Sequence, residues 1–209
     1  MSSPVSLQRV ASTVVPSDIS ECGRDEHVAK LPPLTELEIL FDVKPFSEAV
    51  RNDVRSQFLV DQVRQIGAQA FWGNNCLEDC TSRQGWRLNI AAEPASHGDE
   101  VLGFIVYKID PRNKLLHIQY LAVAANHRRH GIGSKLMKSL QNYATKTLTN
   151  SMVDRIACAC VPEAVSFYKK HHFQKIRRIV PDPSEESSST EKQIPLQYQM
   201  EWRVPKRKK

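Results

Sequence analysis

The residues with the clearest chemical capacity are the seven of Arg128-Arg129-His130-Gly131-Ile132-Gly133-Ser134. Three basic side chains stand before two glycines one residue apart, and a hydroxyl follows. A run of this kind suits an anion. Glycine lets the main chain approach a diphosphate with no Cβ in the way. Free N–H groups at a helix start, with the helix dipole behind them, bind phosphate oxygens. Two common phosphate-binding patterns do not fit. A P-loop places Gly-Lys-Ser/Thr after a longer loop, whereas Ser134 follows Gly133 directly. A dinucleotide fingerprint requires a third glycine where Leu136 stands. What fits is Arg-x-x-Gly-x-Gly, carried by Arg128, Gly131 and Gly133.

A second grouping raises the question of a metal. Cys76 and Cys80 are spaced Cys-x-x-x-Cys, and their available partners are Cys158 and Cys160. The latter two fall inside a predicted strand, where alternation points both the same way. Zinc sites prefer tighter loop knuckles, so buried reduced thiols are expected and no metal. Five cysteines is an odd count with no charged-then-apolar signal segment at the N-terminus, which favours a reducing compartment. An organelle transit peptide has little beyond a Ser/Val-rich start and Arg9 in its favour.

The elements that must position the glycine turn are legible around it. Leu115, Leu116, Ile118, Tyr120, Leu121 and Val123 form a near-continuous apolar run, as in a strand buried on both faces. Beyond the turn, Leu136, Met137, Leu140, Tyr143, Ala144 and Leu148 recur at helical spacing. Met152–Val161 reads as another buried strand, which must lie parallel to the first because a helix separates them. Upstream, Leu37, Ile39 and Phe41 alternate as a strand. Ser47 is placed to cap a long helix carrying Val50, Val54, Phe58, Leu59, Val63, Ile66 and Ala70. Trp86–Ile90 and Val101–Ile109 make a hairpin. Glu163–His172 is a short helix, Phe173–Val180 a strand, and Leu196–Val204 an alternating last strand. The order β-α-β-β-β-α-β-α-β-β defines a mixed α/β sheet. Residues 1–34 lack periodicity and read as a flexible tail, 181–192 as a Pro/Ser/Glu loop, and 205–209 as a basic tail.

With those elements in place, the chain resembles the GNAT superfamily of acetyl-CoA-dependent N-acetyltransferases. The resemblance rests on the buried strand ending Leu121-Ala122-Val123, the Arg128–Gly133 pattern, and Ala164-Val165-Ser166-Phe167-Tyr168-Lys169-Lys170-His171-His172-Phe173. The last is similar to the family's A-x-x-F-Y-x-K-x-G-F, and the match covers roughly residues 100–204. It implies one domain over 35–204: a mostly antiparallel α+β sheet with a parallel β-α-β cofactor unit, flanked by helices. It implies acetyl-CoA as acyl donor, held by the amides of Arg129, His130, Gly131, Ile132, Gly133 and Ser134, with Arg128 adding charge. Leu121, Ala122 and Val123 then offer backbone groups to the thioester arm, across a gap between the two parallel strands. Tyr168 falls where members place a general acid near the sulfur. His117 falls where those acting on protein amines often carry a catalytic Glu or Tyr, and a water chain through Gln119 is its competitor. Two positions depart from the pattern. His172 stands for the usual glycine, and Val161 for an asparagine seven residues before the tyrosine.

Bulk properties narrow the partners. A net charge of +6 on 209 residues suits an anionic ligand, and no run of ~18 apolar residues spans a membrane. Lys206-Arg207-Lys208-Lys209 alone supports nucleic acid, which is not the expected partner. The expected acceptor is a primary amine, of a protein or peptide in preference to a small molecule. A catalytically silent acyl-CoA-binding module is the alternative from another class. A cytoplasmic or nuclear site is expected, and the sequence leaves the oligomeric state open.

Overall fold

The computed structural model describes residues 37–43, 47, 50, 52–71, 76–77, 85–94, 96, 98–148, 152–179 and 196–205. The expected tail over 1–34, the loop over 181–192, Cys80 and residues 206–209 lie outside the described residues. In chain order the elements are β1 (Glu38–Val43), α1 (Val54–Ala70), β2 (Trp86–Ala92), β3 (Val101–Asp110) and β4 (Leu115–Val123). They continue with α2 (Ile132–Lys146), β5 (Arg155–Cys160), α3 (Val165–Lys170), β6 (Gln174–Ile179) and β7 (Gln197–Arg203). Short 3-10 turns at Ala125–His127 and Pro162–Ala164 lead into α2 and α3. This is the order read from periodicity.

The seven strands form one sheet in the order β1-β2-β3-β4-β5-β7-β6. Every neighbouring pair is antiparallel except β4 and β5. Apolar side chains on its two faces build two cores. One face packs Leu116, Ile118 and Leu121 of β4 and Ile156, Cys158 and Cys160 of β5 under α2 and α3. There α2 buries Leu136, Met137, Leu140 and Ala144, each leucine contributing about 1.5–3 kcal/mol. The other face packs Leu88, Ile90, Phe104, Val106, Tyr120 and Ala122 under α1. β4 serves both cores, which is why its sequence is apolar at nearly every position.

A bulge sets which β4 residue faces which core. Val106 of β3 pairs with Tyr120, but the next residue, Tyr107, pairs with Ile118. Gln119 is therefore the extra residue on β4, and side-chain parity changes across it. Leu116 and Ile118 face α2 before the bulge. Tyr120 and Ala122 face α1 after it.

Three expectations change. The long helix starts at Asp53, whose carboxylate accepts from the Ser56 amide at 2.8 Å. Ser47 caps a turn ahead of it, accepting from the Val50 amide at 3.3 Å. Val54 (82% exposed) and Phe58 (53%) are accordingly not core residues, because they lie on the solvent side of the relocated helix. Phe41 is also exposed, since the irregular pairing between Leu40 and Val43 and the positive φ of Asp42 break the alternation there.

Candidate active site

The parallel ladder between β4 and β5 is short. It runs from Leu115 opposite Arg155 to Ile118 opposite Cys158 and stops, although β4 continues to Val123 and β5 to Cys160. The strands thus part after Ile118, and Gln119–Val123 have no ladder partner on the β5 side. On the other side Tyr120–Val123 remain paired to β3. The unpaired edge formed by Leu121, Ala122 and Val123 leads toward the glycine turn.

That turn is built by two left-handed residues, Arg129 at φ 65° and Gly131 at φ 82°. Glycine adopts this conformation without strain. Gly131 is the N-cap of α2, and Lys135 N–H closes the first helical bond on Gly131 O at 2.9 Å. The amides of Ile132, Gly133 and Ser134 are left without intrahelical partners. Arg128 turns back, its Nε donating to Val123 O at 3.3 Å, while Arg129 and His130 are exposed. Ile132 is buried and anchors the helix start. The base of the turn rests on Gly103 of β3, where a Cβ would lie 2.7 Å from Ala122 O and 3.4 Å from Ile132 Cγ2. Only a residue without a side chain allows that approach. A Cβ on Gly133 would meet Phe167 at 3.4 Å and Val123 at 3.5 Å, so Gly133 sits between the strand end and α3. Free amides, a left-handed glycine and parted strands fit a cofactor with a diphosphate and an extended acyl arm.

Tyr168, on α3, lies against the last residue of β5 paired with β4. It is fully buried, packed edge-on against Phe167 and Phe173 at centroid distances of 5.3 and 5.4 Å. Its hydroxyl hydrogen-bonds the Cys158 thiol, and Cys158 is the last β5 residue paired with β4. Burial, and then the neighbouring Cys160, push the Cys158 thiol well up; the Tyr168 hydrogen bond pulls the other way. Burial likewise pushes Cys160 up to about 12. Both stay thiols at neutral pH, so neither takes the phenol's proton. Cys76 is a packing residue: its Sγ occupies the place where a Cβ on Gly67 of α1 would stand. Among the described residues no group of three or more His, Cys, Asp or Glu could hold a metal ion.

His117 lies just before the strands part, paired with Lys108 on one side and Ala157 on the other. Its ring meets Trp86 edge-on at 6.1 Å. Burial holds the imidazole below its usual range, the Lys108 charge adds to that, and a hydrogen bond with the Gln119 side chain opposes it. Gln119, in the bulge, is itself buried at 4% exposure. The competitor to His117 is therefore its hydrogen-bond partner.

The two departures resolve differently. His172 takes the left-handed conformation glycine would supply, φ 65°, and the turn forms, with His172 N–H on Lys169 O and Phe173 N–H on Tyr168 O. Val161 precedes the 3-10 turn with no side-chain cap, so the contact an asparagine would make is absent. Periodicity does not mark Gly103; its one signal in the sequence is a glycine inside a strand. Nor does a motif mark Lys108 or Trp86, and His171 falls at an unspecified position of the Ala164–Phe173 pattern.

Residues 56–173 match the Acetyltransferase (GNAT) family model. Comparison with curated protein sequences gives no match. Solved structures do match. Tetrahymena GCN5 superimposes with a TM-score of 0.56 at 17% identity, over 79% of this chain and 96% of that one. Ard1 from Thermoplasma volcanium gives 0.56 at 18%, over 82% and 99%. Spermidine N-acetyltransferase from Vibrio cholerae, solved with CoA and spermine, gives 0.55 at 13%, over 81% and 96%. At these identities the likeness speaks for the fold. With the family model covering more than half its length, the chain belongs to the GNAT acetyltransferase family and is an acetyl-CoA-dependent N-acetyltransferase.

Proposed function

We propose that the chain acetylates a primary amine of a protein or peptide, a lysine or an N-terminus, with His117 as base and Tyr168 as acid. The observation that carries the acceptor class is the charge beside His117. Lys108 is its cross-strand partner, its ammonium 5.6 Å from the Trp86 ring. A fixed cation next to the base repels a polyamine, which brings several positive charges. It tolerates a single amine among neutral or acidic neighbours.

The backbone amides of Ile132, Gly133 and Ser134 bind the donor and do not react. When bound, acetyl-CoA supplies the activated acyl carbon and a thiolate leaving group. His117 takes the proton the amine sheds on attack. An aliphatic ammonium of pKa ~10.4 is less than about a thousandth neutral at pH 7, so a base that is itself uncharged there is useful. Tyr168 gives its proton to the sulfur as the C–S bond breaks. Arg128 and the start of α2 hold negative charge at the far end. A cytoplasmic or nuclear setting accords with the buried reduced thiols.

The test is acetyl transfer from acetyl-CoA to three acceptors in parallel: a lysine peptide with acidic neighbours, a free N-terminal peptide, and spermidine. The proposal expects higher kcat/KM for a peptide. Higher kcat/KM for spermidine would move the chain to the small-molecule branch.

A further inference from the structure

His171 is a titratable side chain at 4% exposure that the chemistry above leaves unused. Its Nε2 lies 3.0 Å from Ser134 Oγ, and Ser134 is the third residue of α2, inside the set of free amides. Its carbonyl accepts from Gln141 Nε2 at 2.9 Å, and its N–H donates to Tyr168 O at 3.0 Å. The Phe167 ring, which covers Gly133, stands 4.9 Å from the imidazole. One side chain therefore joins the phosphate end of the site to the helix that carries Tyr168, three residues away on the same face.

We propose that His171 is a positioning residue for the cofactor turn: its ring donates to Ser134 Oγ, aims the Ser134 hydroxyl proton at the diphosphate, and gains a proton when that diphosphate binds. The inference rests on the acetyl-CoA assignment. If Nε2 carries the hydrogen, Ser134 Oγ accepts it and its own O–H is free to donate to an anion. The groups facing the ring are all neutral or cationic: Ser134 and Lys138 from α2, Phe167 and Lys170 from α3, and His172. Burial first, then Lys138, Lys170 and His172, keep the free imidazole below its usual range. A diphosphate at the amides of α2 offsets those charges and favours the imidazolium. By linkage, the ligand then binds more tightly as pH falls between the bound and free values. Each unit between them is a tenfold gain in affinity.

The experiment uses dephospho-coenzyme A, which lacks the titrating 3′-phosphate, and calorimetry on the full chain from pH 5.5 to 8. Wild type is compared with His171→Gln, whose amide can donate to Ser134 but cannot titrate. The proposal expects affinity to rise severalfold toward pH 5.5 in wild type, and by less in the variant. The two proteins differ only at position 171, so the difference between their profiles belongs to His171. Should the variant not fold, the imidazole resonance of His171 in wild type carries the test, and its midpoint must rise on adding the ligand. Identical pH profiles, or an unmoved midpoint, overturn the role of His171 and leave the cofactor assignment standing. No binding of dephospho-coenzyme A or acetyl-CoA at any pH overturns that assignment, and this inference with it.

Discussion

On the face of the sheet under α2 and α3, a ligand is offered main chain: the amides of Ile132, Gly133 and Ser134, and the strand end at Leu121–Val123 left open by β5. Around His117 the offer is made of side chains: the imidazole itself, Gln119, Trp86 and Lys108. Backbone recognition constrains residue types strongly, because glycine takes the left-handed N-cap without strain and the close approach at Gly103 leaves no room for a Cβ. Side-chain recognition constrains them weakly, since many residue types can border an amine. The cofactor end is therefore written as a pattern in the chain, and the acceptor end is not.

The contrast breaks first at Tyr168, the side chain on the cofactor face that is proposed as the acid. Tyr168→Phe should lower kcat by roughly 10²–10⁴-fold with little change in acetyl-CoA affinity, since the hydroxyl acts only as charge develops on sulfur. Steady-state kinetics beside calorimetry separates the two. A kcat within about twofold of the parent makes Tyr168 a packing residue.

At the acceptor end the effect should be smaller and carry a pH signature. His117→Gln is expected to lower kcat/KM by roughly 10²-fold, the low end for a general base, because Gln119 and water can substitute. In the parent, log kcat/KM should rise with pH and level off. Burial lowers the His117 pKa, so the inflection belongs below pH ~6.5. Retention of both inflection and rate in the variant assigns the proton to water.

Two stability measurements sharpen the contrast. Gly103→Ala drives a Cβ into Ala122 O and should cost about 1–3 kcal/mol by denaturant titration, weakening acetyl-CoA binding as the strand end shifts. A neutral result would detach Gly103 from the site. His172→Gly relieves a left-handed non-glycine residue and should be neutral or stabilising by up to ~1 kcal/mol. A loss larger than that would give the His172 side chain a role its exposed position does not suggest.

Legibility followed the same divide. The strand Leu115–Val123, the turn and the element order were all visible, because burial on both faces and the change of period are properties of neighbouring residues. The bulge at Gln119 was not, since parity there depends on how β3 pairs across it. The start of α1 was misread for a related reason. Val50, Val54 and Phe58 continue a helical stripe that nothing in their spacing interrupts, while the true signal, Asp53 three residues before Ser56, is a capping contact. The opening between β4 and β5 is a failure of pairing, and no residue type marks it. His171 was invisible because its significance lies in a partner, Ser134, far off in sequence.

The central claim, that a main-chain cradle at the start of α2 holds acetyl-CoA, is tested most directly by calorimetry on Gly133→Val. Gly133 is the better site than Gly131, whose positive φ would add strain to any substitution. A Cβ at Gly133 meets Phe167 and Val123 at ordinary contact distance; valine adds two methyls beyond it, so circular dichroism matching the parent is the condition for reading the binding result. The account predicts micromolar affinity in the parent, in the range typical of substrates, and a loss of at least about tenfold in the folded variant, a change of ~1.4 kcal/mol. Unchanged affinity in a folded Gly133→Val protein would contradict it.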